Sequence, residues 1–155
     1  MKLSISNIAL PPYHHAAYFP TLIDLGIEGL EVATSRVWQH SLRDVTLHEV
    51  EIYRKQLEQA ELEVVGLHSL LFGEKNCSLF DSPEHFSNIV AHFNKLISVC
   101  SHLGGHTMIF GAGRRRGLIP YERAYDVTRS FLDRILPDLE KNNICLLYTS
   151  PSPRD

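Results

Sequence analysis

Two side chains suited to acid–base chemistry stand near the ends of predicted β-strands. Glu31 lies between the apolar residues Leu30 and Val32 late in a strand predicted over residues 27–33, and His68 ends a strand predicted over residues 62–68. A carboxylate in such a position can accept a proton or hold a hydroxyl group, and an imidazole can polarise a carbonyl group or bind hydroxyls. Each residue also fits a structural role, Glu31 as half of an ion pair and His68 as a hydrogen-bonded histidine. We predict both as catalytic residues.

Candidate binding residues follow the first and fourth predicted strands. Asn7 ends the first strand, and a run of three arginines that includes Arg114 and Arg116 follows the fourth. Gly111 and Gly113 precede this run and let backbone amides approach a ligand, while a guanidinium group fits phosphate or carboxylate. The run fits a solvated loop equally well. We predict Asn7, Arg114 and Arg116 as substrate-binding residues, with one arginine rather than all three engaging an anion.

These positions share one edge of a sheet only if the strands are parallel, and the order of the segments indicates that they are. The predicted strands start near residues 2, 27, 62, 106 and 143, with a helical pattern between consecutive strands. The clearest helix starts are a capping box that pairs Thr46 with Glu49 and the Ser82-Pro83 step. Such alternation is typical of a parallel sheet, either doubly wound or closed as a (β/α)-barrel. In both folds ligands bind at the carboxyl ends of the strands.

Composition restricts the class of protein. The chain has 155 residues, of which 44% are hydrophobic and 21% charged, so it is long enough and apolar enough to fold around a core. A net charge of −3 argues against binding to nucleic acid or to anionic membranes, because those partners favour a strong positive excess. No apolar run approaches the roughly 18–20 residues of a membrane span. Three widely spaced cysteines favour reduced thiols and a cytoplasmic location.

Sequence motifs for metal or nucleotide binding are absent. The first strand–helix turn contains no glycine, and no P-loop or Ser-His-Asp arrangement is present. Cys77 and Cys100 are far apart, and no Cys-x-x-Cys pair occurs. His85, His92 and His102 fall on the long predicted helix, where we interpret them as its solvent side. We therefore predict no metal ligand from these residues.

Several segments together resemble the sugar phosphate isomerase/epimerase family, whose fold is a xylose isomerase-like TIM barrel. The resemblance extends from Met1 to about Ile144. It rests on residues 3–9 (Leu-Ser-Ile-Ser-Asn-Ile-Ala), 29–33 (Gly-Leu-Glu-Val-Ala), 66–73 (Gly-Leu-His-Ser-Leu-Leu-Phe-Gly), 79–80 (Leu-Phe) and 108–111 (Met-Ile-Phe-Gly). Where relatives carry Gly-Ser-Pro-Lys-Asn-Arg after the fourth strand, this chain has Gly-Ala-Gly-Arg-Arg-Arg, so only the first and last positions match.

The resemblance implies a partial (β/α)8 barrel and an activity. It implies a cytoplasmic parent enzyme that catalyses metal-assisted proton transfer next to a carbonyl group, interconverting aldose and ketose or epimerising a ketose. The ligand would be a small-molecule sugar or sugar phosphate. In the family a divalent ion (Mn²⁺, Mg²⁺ or Zn²⁺) is held by Glu, Asp, His and Glu at the ends of later strands, so no metal ligand is carried over to this chain. We expect the metal in the full-length parent and not in this chain.

The C-terminal residues indicate that the sequence is a truncated form of a longer chain. Residues 145–155 (Cys-Leu-Leu-Tyr-Thr-Ser-Pro-Ser-Pro-Arg-Asp) resemble the in-frame translation of a sequencing adaptor, although a disordered tail is an alternative. We predict that residues 1–144 are the N-terminal half of a TIM-barrel domain, with its first four to five βα units, since a complete barrel has about 250 residues. We expect this part alone to be inactive.

Two other functions stay open from the sequence. One is a related barrel that cleaves DNA at apurinic sites, which the net charge of −3 disfavours. The other is a non-catalytic, doubly wound binding domain, complete at this length. Strand order separates the folds, because a doubly wound sheet reverses direction about its first strand while a barrel keeps its strands in chain order.

Overall fold

Five parallel strands form one sheet in the order in which they occur along the chain. The computed structural model describes residues 2–111 and 117–148. The strands are β1 Ser4–Ser6, β2 Gly29–Val32, β3 Glu63–Leu67, β4 Thr107–Phe110 and β5 Cys145–Tyr148. Each strand pairs in parallel with the next one, so the sheet order is β1-β2-β3-β4-β5. The predicted α/β fold with sequential strands is confirmed, and the doubly wound alternative is wrong.

Four helices make the crossovers between these strands. They are α1 Phe19–Asp24, α2 Leu47–Gln59, α3 Pro83–His102 and α4 Tyr121–Lys141. Both predicted helix starts are confirmed: Thr46 and Glu49 cap α2 reciprocally, and Ser82 caps α3 by accepting the backbone N–H of His85 at 3.1 Å. Among the described residues, no helix combines the length and apolar character of a membrane span.

The core lies between the sheet and its helices. Phe93 of α3 is packed edge-on against Phe110 of β4 and Phe131 of α4, with 5.0 Å between ring centroids in each pair. Alternate strand residues point to the opposite side of the sheet, where Val65 is 40% and Leu147 45% exposed. The helix layer therefore fixes the strands from one side, and the described residues leave the other side partly open.

The fifth strand uses residues from the segment predicted to be a non-native tail. Leu146 and Tyr148 are in register with Met108 and Phe110 of β4. The apolar residues 145–148 continue the strand that begins after Asn143, which explains why they extend the sheet. Residues 149–155 lie outside the described residues, and the origin of the tail stays a prediction.

Candidate active site

Glu31 and His68 lie together at the carboxyl ends of adjacent strands. Glu31 is the third residue of β2 and is in register with Ser6 of β1 and Gly66 of β3. His68 follows β3 directly, and its backbone N–H donates to the carbonyl oxygen of Val32 at 3.1 Å. Both side chains line one open cavity of about 910 Å³. The structure thus brings the two predicted catalytic residues into one site.

The imidazole of His68 is held on both sides by hydroxyl groups. Its Nε2 is 2.8 Å from Ser6 Oγ, and its Nδ1 is 3.0 Å from Ser69 Oγ. Ser6 Oγ already accepts the backbone N–H of Ile8 at 3.2 Å, so its own proton is free to be donated to Nε2. These two contacts fix the orientation of the ring relative to β1 and β3.

Burial keeps this imidazole neutral near pH 7. Desolvation lowers the pKa of His68 below its usual value of 6.5, and the negative charge of Glu31 opposes this effect. A neutral ring can donate one hydrogen bond and accept another, which suits it to bind hydroxyl or carbonyl oxygen atoms. The pair therefore combines a carboxylate with a neutral imidazole at the floor of the cavity.

The connection between β3 and α3 forms most of the cavity wall. Leu71, Phe72 and Phe80 contribute apolar surface, and Lys75 and Ser78 contribute polar groups. Gly111, which follows β4, also lines the cavity. A few polar groups among apolar ones are typical of a small-molecule site.

Asn7 has a different environment from the one its predicted role suggests. Its side chain is fully buried, Oδ1 accepts the backbone N–H of Ala33 at 2.8 Å, and Nδ2 donates to the Ala33 carbonyl oxygen at 3.1 Å. The amide therefore joins the turns that follow β1 and β2. Its role in substrate binding stays a prediction, and Arg114 and Arg116 lie outside the described residues.

A second cluster was missed by sequence reasoning. Glu74 and Cys77 of the β3–α3 connection and His92 of α3 each place a potential ligand atom within 4.8 Å of the others. The interpretation of His92 as solvent-facing is wrong, because its side chain is only 9% exposed and contacts the carbonyl oxygen of Leu70. The signal was its position three residues after Ile89, which places it beside the buried stripe of the helix.

Comparison with known sequences gives one family. The sequence profile of the xylose isomerase-like TIM barrel family matches residues 19–149, which is most of the chain. No curated protein sequence gives a significant match.

Comparison with solved structures gives sugar epimerases and related barrels. A D-psicose 3-epimerase from Clostridium cellulolyticum H10, solved with D-tagatose, is similar with a TM-score of 0.71 and 13% identity, over 94% of this chain and 51% of that one. The 3-keto-D-glucoside 4-epimerase from E. coli gives 0.72 and 14%, over 96% and 55%. The IOLI protein with a bound zinc atom gives 0.69 and 16%, over 96% and 51%. The chain spans about half the length of these structures, and the low identities show a common fold alone.

Proposed function

Because the chain belongs to the xylose isomerase-like TIM barrel family, we propose that its cavity binds a sugar or sugar phosphate and that the protein is a sugar isomerase or epimerase. The observation that carries the proposal is the placement of Glu31 and His68 in one cavity at the carboxyl ends of β2 and β3. This is where barrel enzymes bind their substrates. The similar epimerase solved with D-tagatose supports a ketose as the ligand class.

The two side chains have complementary roles in this proposal. Glu31 accepts a hydrogen bond from a sugar hydroxyl, or accepts the proton on the carbon next to the carbonyl group. With Ser6 donating to Nε2, the ring N–H of His68 is on Nδ1 and is bonded to Ser69. In the proposed complex His68 exchanges this bond for one to the carbonyl oxygen, where negative charge develops as the proton leaves. The aromatic face of Phe72 supplies apolar surface for the C–H face of the sugar ring.

Metal assistance is proposed for the whole protein and not for these two residues. Among the described residues, the group of three potential metal ligands lies at Glu74, Cys77 and His92 and does not include Glu31 or His68. The ring nitrogens of His68 already have hydroxyl partners. Glu31 and His68 therefore do not fit a metal centre of their own, and their proposed roles do not depend on an ion.

Sugar binding to the chain tests the proposal. D-fructose, D-tagatose and D-fructose 6-phosphate are titrated into the ¹⁵N-labelled chain, and we expect the amide signals of His68 and Ser69 to shift. Glu31→Gln and His68→Gln should each weaken binding by about 10-fold or more, the effect of losing a hydrogen bond that involves a charged or buried group. Glu140→Gln, an exposed change on α4, is the matched control.

Phosphorylation of the substrate is tested by a different residue. Lys75 lines the cavity and can pair with a phosphate group. Lys75→Gln should weaken binding of the sugar phosphate and leave binding of the free ketose unchanged if the natural ligand carries a phosphate. Absence of shifts around His68 with all three sugars, or undiminished binding by Glu31→Gln, would overturn the proposed function.

A further inference from the structure

We propose that Glu74, Cys77 and His92 form a Zn²⁺ site that fastens the β3–α3 connection to the middle of α3. One ligand atom of each residue lies within 4.8 Å of the other two. Glu74 and Cys77 belong to the connection that forms the cavity wall, whereas His92 belongs to the helix behind it. An ion bound by all three would fix the wall in place. The site is separate from Glu31 and His68 and needs no sugar.

The hydrogen bonding of His92 prepares it to bind a metal ion. Its Nε2 is 2.7 Å from the carbonyl oxygen of Leu70. Because a carbonyl oxygen only accepts hydrogen bonds, Nε2 carries the proton, and the lone pair of the neutral ring is on Nδ1. Metal-binding histidines typically donate their other ring N–H to a backbone carbonyl or carboxylate in this way. Nδ1 is also the atom that faces Glu74.

The spacing of Glu74 and His92 leaves room for a cation. Glu74 Oε1 and His92 Nδ1 are 4.0 Å apart, which is too far for a hydrogen bond. In the tautomer that donates Nε2–H to Leu70, Nδ1 has a lone pair, so both atoms can coordinate a cation placed between them. Zinc–ligand bonds of about 2.0–2.3 Å place ligand atoms roughly 3.3–3.8 Å apart, so small side-chain rotations suffice to close the site.

The ligand set favours zinc over the hard divalent ions. Thiolate and imidazole ligands select Zn²⁺, whereas Mg²⁺ and Ca²⁺ prefer an all-oxygen environment. A cysteine thiol is largely protonated near pH 7, because its ordinary pKa is about 8.5. Zinc binding displaces that proton to solvent, and the thiolate then coordinates the ion. Three protein ligands leave a fourth position for water or for a group that enters the cavity.

Metal titration of the intact chain tests the site. After treatment with a chelator, the chain should bind one Zn²⁺ or one Co²⁺. The Co²⁺ form should show a thiolate-to-metal charge-transfer band and the intense visible bands of a tetrahedral complex. Zn²⁺ should protect Cys77 from alkylation and leave the exposed Cys145 reactive. These measurements use the unaltered sequence, so they do not depend on how well a variant folds.

Substitutions assign the ligands. Cys77→Ser and His92→Gln should each lower Zn²⁺ affinity by at least about 10-fold, while circular dichroism checks that the helices persist. Cys145→Ser and His102→Gln are the controls, because Cys145 is exposed and His102 lies on the exposed side of α3. Glu31→Gln should leave Zn²⁺ binding unchanged, which separates this proposal from the proposed function.

Three results would overturn the site. They are a Co²⁺ spectrum without a thiolate band, Cys77 that alkylates equally fast with Zn²⁺, and zinc affinity that Cys77→Ser leaves intact. Any of them would reduce the Glu74–His92 contact to an ion pair formed when the imidazole is protonated.

Discussion

The side chain of Asn7 forms two hydrogen bonds with the backbone of Ala33, as a backbone segment of a neighbouring strand would. Oδ1 accepts the Ala33 N–H at 2.8 Å, and Nδ2 donates to the Ala33 carbonyl oxygen at 3.1 Å. Both residues are buried and lie just beyond the carboxyl ends of β1 and β2. The amide thereby continues the pairing of the two strands one residue beyond Val32, the last residue of β2.

Replacing Asn7 should destabilise the fold. In Asn7→Ala the buried N–H of Ala33 loses its partner, whereas its carbonyl oxygen still accepts the backbone N–H of Arg36 at 3.0 Å. We expect the free energy of unfolding to fall by about 1–3 kcal/mol. Urea denaturation followed by the fluorescence of the single tryptophan, Trp38, measures this change. Asn94→Ala, an exposed change on α3, is the control and should alter stability by less than about 0.5 kcal/mol. Equal effects of the two substitutions would contradict the role assigned to the amide.

A close approach between β3 and β4 leaves no room for a side chain at Gly66. A Cβ atom there would lie 2.2 Å from the carbonyl oxygen of Thr107, its partner in the strand register. Since that neighbour is backbone, relief requires the strands to separate, and Gly66→Ala should destabilise the fold by about 3 kcal/mol or more.

Gly29→Ala is the matched comparison on β2. Its Cβ atom would meet side-chain atoms, with Val65 Cγ2 at 2.8 Å and Ser4 Cβ at 3.2 Å, and side chains can shift without loss of strand pairing. We expect a smaller decrease, of about 1–2 kcal/mol. Thermal denaturation of Gly66→Ala and Gly29→Ala compares their losses of stability. A larger loss for Gly29→Ala would contradict this prediction.

A buried histidine should make stability depend on pH. His15 is 3% exposed, its Nδ1 is 2.9 Å from the Tyr53 hydroxyl oxygen, and burial, aided by Arg36 and His14, lowers its pKa to about 4. Between pH 6.5 and pH 4 the unfolded chain therefore binds a proton that the folded chain does not. The free energy of unfolding should fall as the pH drops through this window, by up to about 3 kcal/mol from this residue.

Variants separate this contribution from that of the other histidines. His15→Gln should reduce the slope between pH 6.5 and pH 4 and leave the part that the lowered pKa of His68 contributes. The exposed His102→Gln should retain the full slope. Urea denaturation at several pH values measures both slopes. If stability rose as the pH fell through the window, the assigned direction of the pKa shift would be wrong.

The predictable parts of this fold are those that depend on residues close in sequence. The Thr46–Glu49 capping box and the Ser82 cap each need only a few consecutive residues, so their chemistry is readable before the fold is known. Parallel pairing follows from alternation, because parallel neighbours require helical crossovers. The order of the strands does not, since a doubly wound sheet has the same alternation. Glu31 and His68 could be placed at one edge of the sheet in advance, since both stand near the carboxyl ends of parallel strands.

The parts that could not be predicted depend on how long connections fold back. Glu74 and Cys77 meet His92 only because the β3–α3 connection returns over the helix, and no short motif records that path. The Asn7 amide likewise finds Ala33 through strand register. Its polar side chain gave the same sequence signal as a ligand-binding residue.

The relation between Glu31 and His68 can be measured directly by titration. Burial lowers the pKa of His68, and the Glu31 carboxylate counteracts this shift by favouring the protonated ring. Glu31→Gln removes the negative charge, so the pKa of His68 should fall further below 6.5. The chemical shift of its Hε1 proton, followed by NMR between pH 4 and pH 8, reports the change.

Glu140→Gln provides the baseline for this titration, because it removes one carboxylate from the exposed face of α4. Ser6→Ala provides a second comparison. It deletes the hydroxyl that is 2.8 Å from Nε2 and leaves the charge of Glu31 in place. If Glu31→Gln left the titration of His68 unchanged or raised its pKa, the two groups would not interact across the cavity, and acid–base cooperation between them would have no physical basis.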